Sequence, residues 1–213
     1  MSIIILNGAS SSGKSSIAKE LQALLPEQYL HIGIDTFISM MPERTNNLTQ
    51  SNVVSEGFYF QSIEINGCFQ QQVQSGQYGQ KVNHAYHSTV KHLNDLGLNI
   101  IVDDVMNGRL EQTQWAQVLG ESEAIFIAVL CQENELIRRE KSRPDRMQGS
   151  ALEQAHRVHQ GVQYDFIVDS STLTPTECAQ RIVNALSGLE KPLVNKLVVT
   201  DSLLPNLNIN NSE

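Results

Sequence analysis

The chain has 213 residues, 40% of them hydrophobic and 18% charged, a globular composition with enough apolar material for a single α/β domain. Its net charge of −8 argues against a general nucleic-acid or anionic-membrane surface, and no apolar run reaches the roughly 20 residues of a membrane-spanning helix. The N-terminus has no positive segment and no small-residue cleavage site, and the three cysteines, Cys68, Cys131 and Cys178, form no C-x-x-C pair; buried thiols in a reducing cytoplasm are expected.

In chain order, Ile3–Leu6 is a short, wholly apolar run, as a buried parallel strand requires. A glycine- and serine-rich loop follows, then a helix over Ser15–Leu25 stopped by Pro26. Tyr29–Ile34 reads as a second strand and Thr36–Met41 as a short helix. Residues 43–80 are rich in Gln, Asn, Ser and Gly and are expected to form an irregular or hairpin insertion. Helical spacing returns over Lys81–Leu96. Asn99–Asp104 is a third strand, Leu110–Leu119 a helix, Ala124–Leu130 a fourth strand, and a further helix begins near Glu133. Ser150–His159 is helical, Asp165–Val168 is a fifth strand, and Pro175–Leu186 is a last helix with Pro in its first turn. Strands alternating with helices predict an α/β fold with a parallel sheet covered on both faces. Residues 1–187 form one domain, and residues 188–213 a polar tail whose apolar patch, Leu197–Val199, is expected to dock or pair at an edge.

Gly8–Ser15 (GASSSGKS) matches the P-loop pattern in full, with a strand before it and a helix after it. Gly8, Ala9, Ser10, Ser11, Ser12, Gly13, Lys14, Ser15 and Ser16 are therefore the expected nucleotide-binding segment. Its backbone N–H groups would cradle the phosphates, with Lys14 on the β- and γ-oxygens and the Ser15 hydroxyl on Mg²⁺. Asp103 and Asp104 end the third strand, where a carboxylate can hold that Mg²⁺. Asp35 ends the second strand at the same sheet edge. It can orient an acceptor hydroxyl and take its proton, or serve as the N-cap of the helix beginning at Thr36, and these roles are compatible.

Of the 15 Lys and Arg, Arg138, Arg139, Lys141, Arg143 and Arg146 fall within nine residues. Beside a P-loop this basic segment, residues 138–147, reads as a lid whose Arg139, Arg143 and Arg146 meet the phosphates, with Pro144 at a hinge. The pairs His84/His87 and His156/His159 stand at a helical spacing that metals can use, but neither has an obvious third ligand in the sequence.

Taken together, IIILNGASSSGKSS, LHIGIDTFISMMP, NIIVDDVM, AVLCQENELIRREKSRPDR, VHQGVQYDFIVDSS and ECAQRI resemble the chloramphenicol phosphotransferase family of small-molecule P-loop kinases, in the same order over residues 3–186. The resemblance implies a P-loop three-layer sandwich with a five-stranded parallel sheet of order 2-3-1-4-5, and ATP- and Mg²⁺-dependent phosphorylation of a hydroxyl on a small molecule. It places Asp35 at the position of the family's catalytic base and Arg143 and Arg146 on its lid arginines. It also sets SSTLTPTECAQRI beside the adenine. Residues 43–80 are longer and richer in Gln and Asn than the family's acceptor-side segment. Two other readings use a P-loop: a toxin-like kinase of nucleotide-sugars, and a nucleotide-dependent switch. For the switch, a guanine-reading N-K-x-D motif is absent, since Asn195-Lys196 is followed by Leu and Val.

Overall fold

The computed structural model describes residues 2–65, 67–143 and 146–188. At its centre lies β1 (Ile3–Asn7), all five residues of which are buried. It pairs in parallel with β6 (Asn99–Asp104) on one side and β7 (Ala124–Leu130) on the other. With β2 (Tyr29–Gly33) and β8 (Phe166–Asp169) outermost, the sheet runs β2-β6-β1-β7-β8. Counting only these five strands, the order is the expected 2-3-1-4-5.

Alternation along the strands builds two cores. Ile4, Leu6, Ile101, Ile127 and Val129 pack with α1 (Lys14–Leu24) and α7 (Pro175–Leu186). Ile3, Ile5, Ile100, Val102 and Phe126 pack with α3 (Gln77–Asp95) and α4 (Gly108–Leu119), around Tyr86 and Trp115. Parallel pairing sets Asn7 opposite Asp104 and Gly33 opposite Asp103, so the strands end level at one edge. Loops leaving that edge converge on one place, as in other open α/β sheets.

β6, β7 and α7 have the predicted bounds. Thr174 caps α7 in a reciprocal box with Glu177, which explains why its start was sharp in sequence. α2 (Ile34–Ser39) begins two residues earlier than predicted, and α3 begins at Gln77 rather than Lys81. Between α2 and α3, after a short 3₁₀ turn at Glu43–Thr45, the polar insertion forms a second sheet. It has the order β3 (Asn47–Ser51), β4 (Phe58–Ile65), β5 (Cys68–Ser75), with β4 and β5 an antiparallel hairpin. A Cβ on Gly79 would lie 2.8 Å from the Gly57 carbonyl oxygen, so the start of α3 packs directly on the backbone entering β4.

The thiols are free, but only Cys178 is fully buried; Cys68, at the hairpin tip, is exposed, and Cys131 lies between these extremes. Among the described residues no helix is long and apolar enough to cross a membrane. The Leu197–Val199 patch and Pro144 lie outside the described residues.

Candidate active site

The P-loop joins β1 to α1 and borders a cleft of about 710 Å³ at the carboxyl edge of the sheet. Ser11 at φ 64° and Gly13 at φ 93° turn its backbone through the left-handed region, a conformation that points successive N–H groups into one concavity. Gly8 has no room for a side chain: a Cβ there would stand 2.5 Å from the Val129 carbonyl oxygen. The Ser11 and Ser12 hydroxyls are buried without a hydrogen-bond partner, so the loop holds unused polar capacity of the kind a phosphate satisfies.

Lys14 is buried, donates to the Ala9 carbonyl at 2.8 Å, and lies 3.8 Å from Asp103. Burial lowers its pKa, and the nearby carboxylates of Asp103, Asp35 and Asp104 oppose that shift. The Ser15 hydroxyl donates to Asp103 Oδ2, and His31 Nε2 is 3.7 Å from the same oxygen. Burial pushes the Asp103 carboxyl up, but Lys14, His31 and Ser15 together outweigh it and hold the group below the usual carboxylate range. Ser15 and Asp103 thus present two anionic or neutral oxygen donors beside the Lys14 ammonium, a set suited to Mg²⁺ carried by a nucleotide.

Asp104 departs from the expected pair. One residue further along β6, its side chain turns to the opposite sheet face, where Oδ2 accepts from the Trp115 indole at 2.6 Å and Oδ1 from Val105 N–H at 2.9 Å. Burial, then the neighbouring Glu111 charge, raise its pKa to about 7. Only Asp103 reaches Ser15.

Asp35 is not an N-cap; Gly33 holds that position and Asp35 lies in the first turn of α2. Its exposed carboxylate accepts from Arg146 Nη2 at 3.3 Å. Arg143 and Arg146 both line the cleft, whereas Arg139 does not. Its guanidinium is spent elsewhere: Nη2 donates to Ser170 O at 2.7 Å and Nη1 to Ser12 O at 3.4 Å, and Nε to the Glu135 carboxylate at 2.7 Å. It braces the P-loop from behind and borders a second recess of about 290 Å³ between Gly13, Ser16, Leu173 and Pro175. That recess lies along the segment expected beside an adenine.

Several residues that shape the site carried no sequence signal. Glu140, buried at the end of α5 (Glu133–Lys141), accepts from Gly149 N–H at 2.7 Å, Ala151 N–H at 2.8 Å and the Ser150 hydroxyl at 3.0 Å. It fastens the start of α6 (Ser150–Arg157) to α5 and so closes the base of the basic segment. Gln154 accepts from Ser10 N–H at 2.6 Å. Gln74, Gln72, Glu153 and Arg157 form a chain of hydrogen bonds of 2.6, 2.8 and 2.8 Å along the hairpin side of the cleft. On the same side, Phe58, Phe60 and Leu48 supply apolar wall.

Three solved structures share the architecture. A sugar kinase from Janibacter sp. HTCC2649 superposes with a TM-score of 0.59 at 14% identity, over 88% of this chain and 95% of that one. A gluconokinase from Sinorhizobium meliloti 1021 gives 0.54 at 14% identity, over 94% and 97%. Shikimate kinase from Aquifex aeolicus vf5 gives 0.53 at 14% identity, over 87% and 96%. At these identities the likeness establishes the fold of P-loop kinases. In sequence, the Mycobacterium tuberculosis H37Rv protein named "Putative O-phosphotransferase Rv2636" is 29% identical over 192 residues, covering 90% of this chain and 84% of that protein. The family profile described as "Chloramphenicol phosphotransferase-like protein" matches residues 1–187. A kinase-type phosphotransferase fold, an intact P-loop and a match over most of the chain agree, and the chain belongs to the chloramphenicol phosphotransferase-like family.

Proposed function

We propose that this protein transfers the γ-phosphate of ATP to a hydroxyl of a small molecule. The observation that carries the reading is the Asp35 carboxylate, which faces the same cleft as Lys14, Ser15 and Asp103 and is paired there with a lid arginine. A nucleotide-only switch has no use for an acceptor-side carboxylate in that place.

On this reading Gly8–Ser16 hold the phosphates, and Ser15 with Asp103 hold the Mg²⁺, which supplies charge neutralisation on the transferring group. Lys14 steadies the β- and γ-oxygens, and Arg143 and Arg146 add positive charge from the lid as water is excluded. Asp35 accepts a hydrogen bond from the acceptor hydroxyl and takes its proton as the oxygen–phosphorus bond forms and the β–γ bridge breaks. Since the transition state is loose, Asp35 acts chiefly by orienting the hydroxyl. The larger cleft receives the acceptor, and the recess by Arg139 and Leu173 the base.

The acceptor wall mixes aromatic carbons with carboxamides, which suits a neutral molecule having both a ring or alkyl face and polar groups. Chloramphenicol is one such molecule, and a nucleotide-sugar is a second class to test. An ATP-consumption screen against hydroxylated antibiotics, sugars and nucleotide-sugars decides the matter. Stimulation by an acceptor, with a phosphorylated product by mass spectrometry, is the expected result. ATP turnover that no acceptor stimulates would favour the switch.

A further inference from the structure

On the other face of β6 lies a polar cluster that the proposed transfer does not use. His87 on α3, Asp104 at the end of β6 and Glu111 on α4 are all buried, and their potential ligand atoms lie within 4.8 Å of one another. The third ligand that the His84/His87 spacing lacked comes from two other elements; His84 itself is exposed.

The hydrogen-bonding pattern leaves room for a ligand. Each carboxylate oxygen has one donor: Trp115 and Val105 serve Asp104, while Asn83 at 3.1 Å and Asn107 N–H at 2.7 Å serve Glu111. All four donors are neutral. Arg157, which reaches Asn107 Oδ1 at 3.1 Å, is committed to Glu153 through Nε and Nη2. His87 Nε2 has no hydrogen bond, is fully buried, and stands 3.5 Å from Glu111 Oε1. The Tyr86 hydroxyl beside it is likewise buried without a partner. Two carboxylates this close in the interior are costly as a pair of anions, a cost that a bound cation relieves.

We propose that His87, Asp104 and Glu111 bind a first-row transition-metal dication, Zn²⁺ or Mn²⁺ in class, at a site separate from the nucleotide's Mg²⁺. One imidazole with two carboxylates suits such ions better than Mg²⁺, which prefers oxygen alone. Donor atoms about 2.1 Å from a tetrahedral ion lie ~3.4 Å apart, close to the separation of His87 and Glu111. The ligands sit on three packed elements, and the Trp115 ring, 4.0 Å from the His87 ring at 38°, fixes the imidazole and walls the site with carbon. Asp104 and Glu111 also line the cleft, so an ion can reach the cluster from that side.

The full chain, stripped with chelator, is titrated with Zn²⁺ alone by calorimetry and with Co²⁺ alone by fluorescence. Trp115 is the only tryptophan and bonds Asp104 directly, so its emission reports on this cluster. One equivalent bound, Trp115 emission quenched by Co²⁺, and affinity reduced at least tenfold in both His87→Gln and Glu111→Gln support the site. Asp103→Asn, on the opposite sheet face, keeps the metal. Circular dichroism establishes that each variant is folded; if one is not, the other and the Trp115 signal still decide. Binding that neither variant weakens, metal taken up without any change in Trp115 emission, or no binding at ~100 μM metal would overturn the proposal and leave the cluster a hydrogen-bonded part of the core.

Discussion

Arg146 Nη2 stands 3.3 Å from Asp35 Oδ2, joining the basic segment to the first turn of α2 across the mouth of the cleft. The carboxylate is largely exposed, so the pair is weak and readily exchanged for phosphate on one side and a hydroxyl on the other. On the proposed function, Arg146 would occupy Asp35 only until both ligands are in place. Asp35→Asn is expected to reduce kcat for phosphoryl transfer by roughly 10²–10⁴. Its nucleotide affinity should stay within a few-fold of the parent. Steady-state rates beside a nucleotide-binding titration measure both quantities, and unchanged turnover would remove Asp35 from the mechanism.

Buried Lys14 donates to the Ala9 carbonyl and pairs with Asp103, which leaves an ammonium of three donors with capacity for phosphate oxygens. With nucleotide at about 100 times its Kd the folded state gains about 2.7 kcal/mol, read as a rise in Tm. In Lys14→Ala that rise should all but vanish, together with turnover. Thermal unfolding with and without Mg²⁺-ATP tests this, and a preserved shift would contradict the assignment.

Glu140 holds the base of the basic segment through three hydrogen bonds. Glu140→Ala strands two buried N–H groups and a hydroxyl, and is expected to lower stability by about 2–4 kcal/mol. Glu140→Gln retains one acceptor oxygen and should lose less. Urea unfolding ranks the three proteins, while limited proteolysis is expected to find residues 146–149 more readily cut in the alanine variant.

His159 contributes a pH dependence. Burial, then the Lys14 charge, hold its imidazole below the ordinary value of 6.5, while its Nδ1 lies 2.7 Å from the Tyr164 hydroxyl. Below 6.5 the unfolded chain takes up a proton that the folded chain refuses. The neutral ring's contribution is therefore complete above 6.5 and is lost as the pH falls toward the folded pKa, at no more than about 1.4 kcal/mol per pH unit. His159→Gln can keep the tyrosine contact and should flatten the stability profile below pH 6.5. A profile as steep as the parent's would assign the acid sensitivity to other groups.

The central sheet was legible because a parallel strand buried on both faces leaves an unbroken apolar run, as in Ile3–Leu6. The P-loop was legible because its backbone geometry demands glycines at fixed spacing. The small sheet was not, since β5 reads CFQQQVQS and its glutamines face helix α6 and the cleft rather than solvent alone. Periodicity could have separated Asp103 from Asp104: Asp103 shares the face of Ile101, and Asp104 that of Val102. No local pattern could show that Arg139 turns to the P-loop carbonyls, or that His87 finds its companions on β6 and α4, because those contacts join residues far apart in the chain.

The small sheet leaves and rejoins the domain at nearly one point. Gly57 N–H donates to Thr45 O, Gly76 N–H to Gly57 O, and Tyr78 and Gly79 N–H to Glu56 O, so three stretches of backbone are tied in a single knot of hydrogen bonds. A change confined to the hairpin beyond that knot is therefore expected to leave Thr45, Gly57 and the start of α3 in place. On the proposed function, the hairpin wall can then be redesigned on its own while the P-loop keeps its geometry.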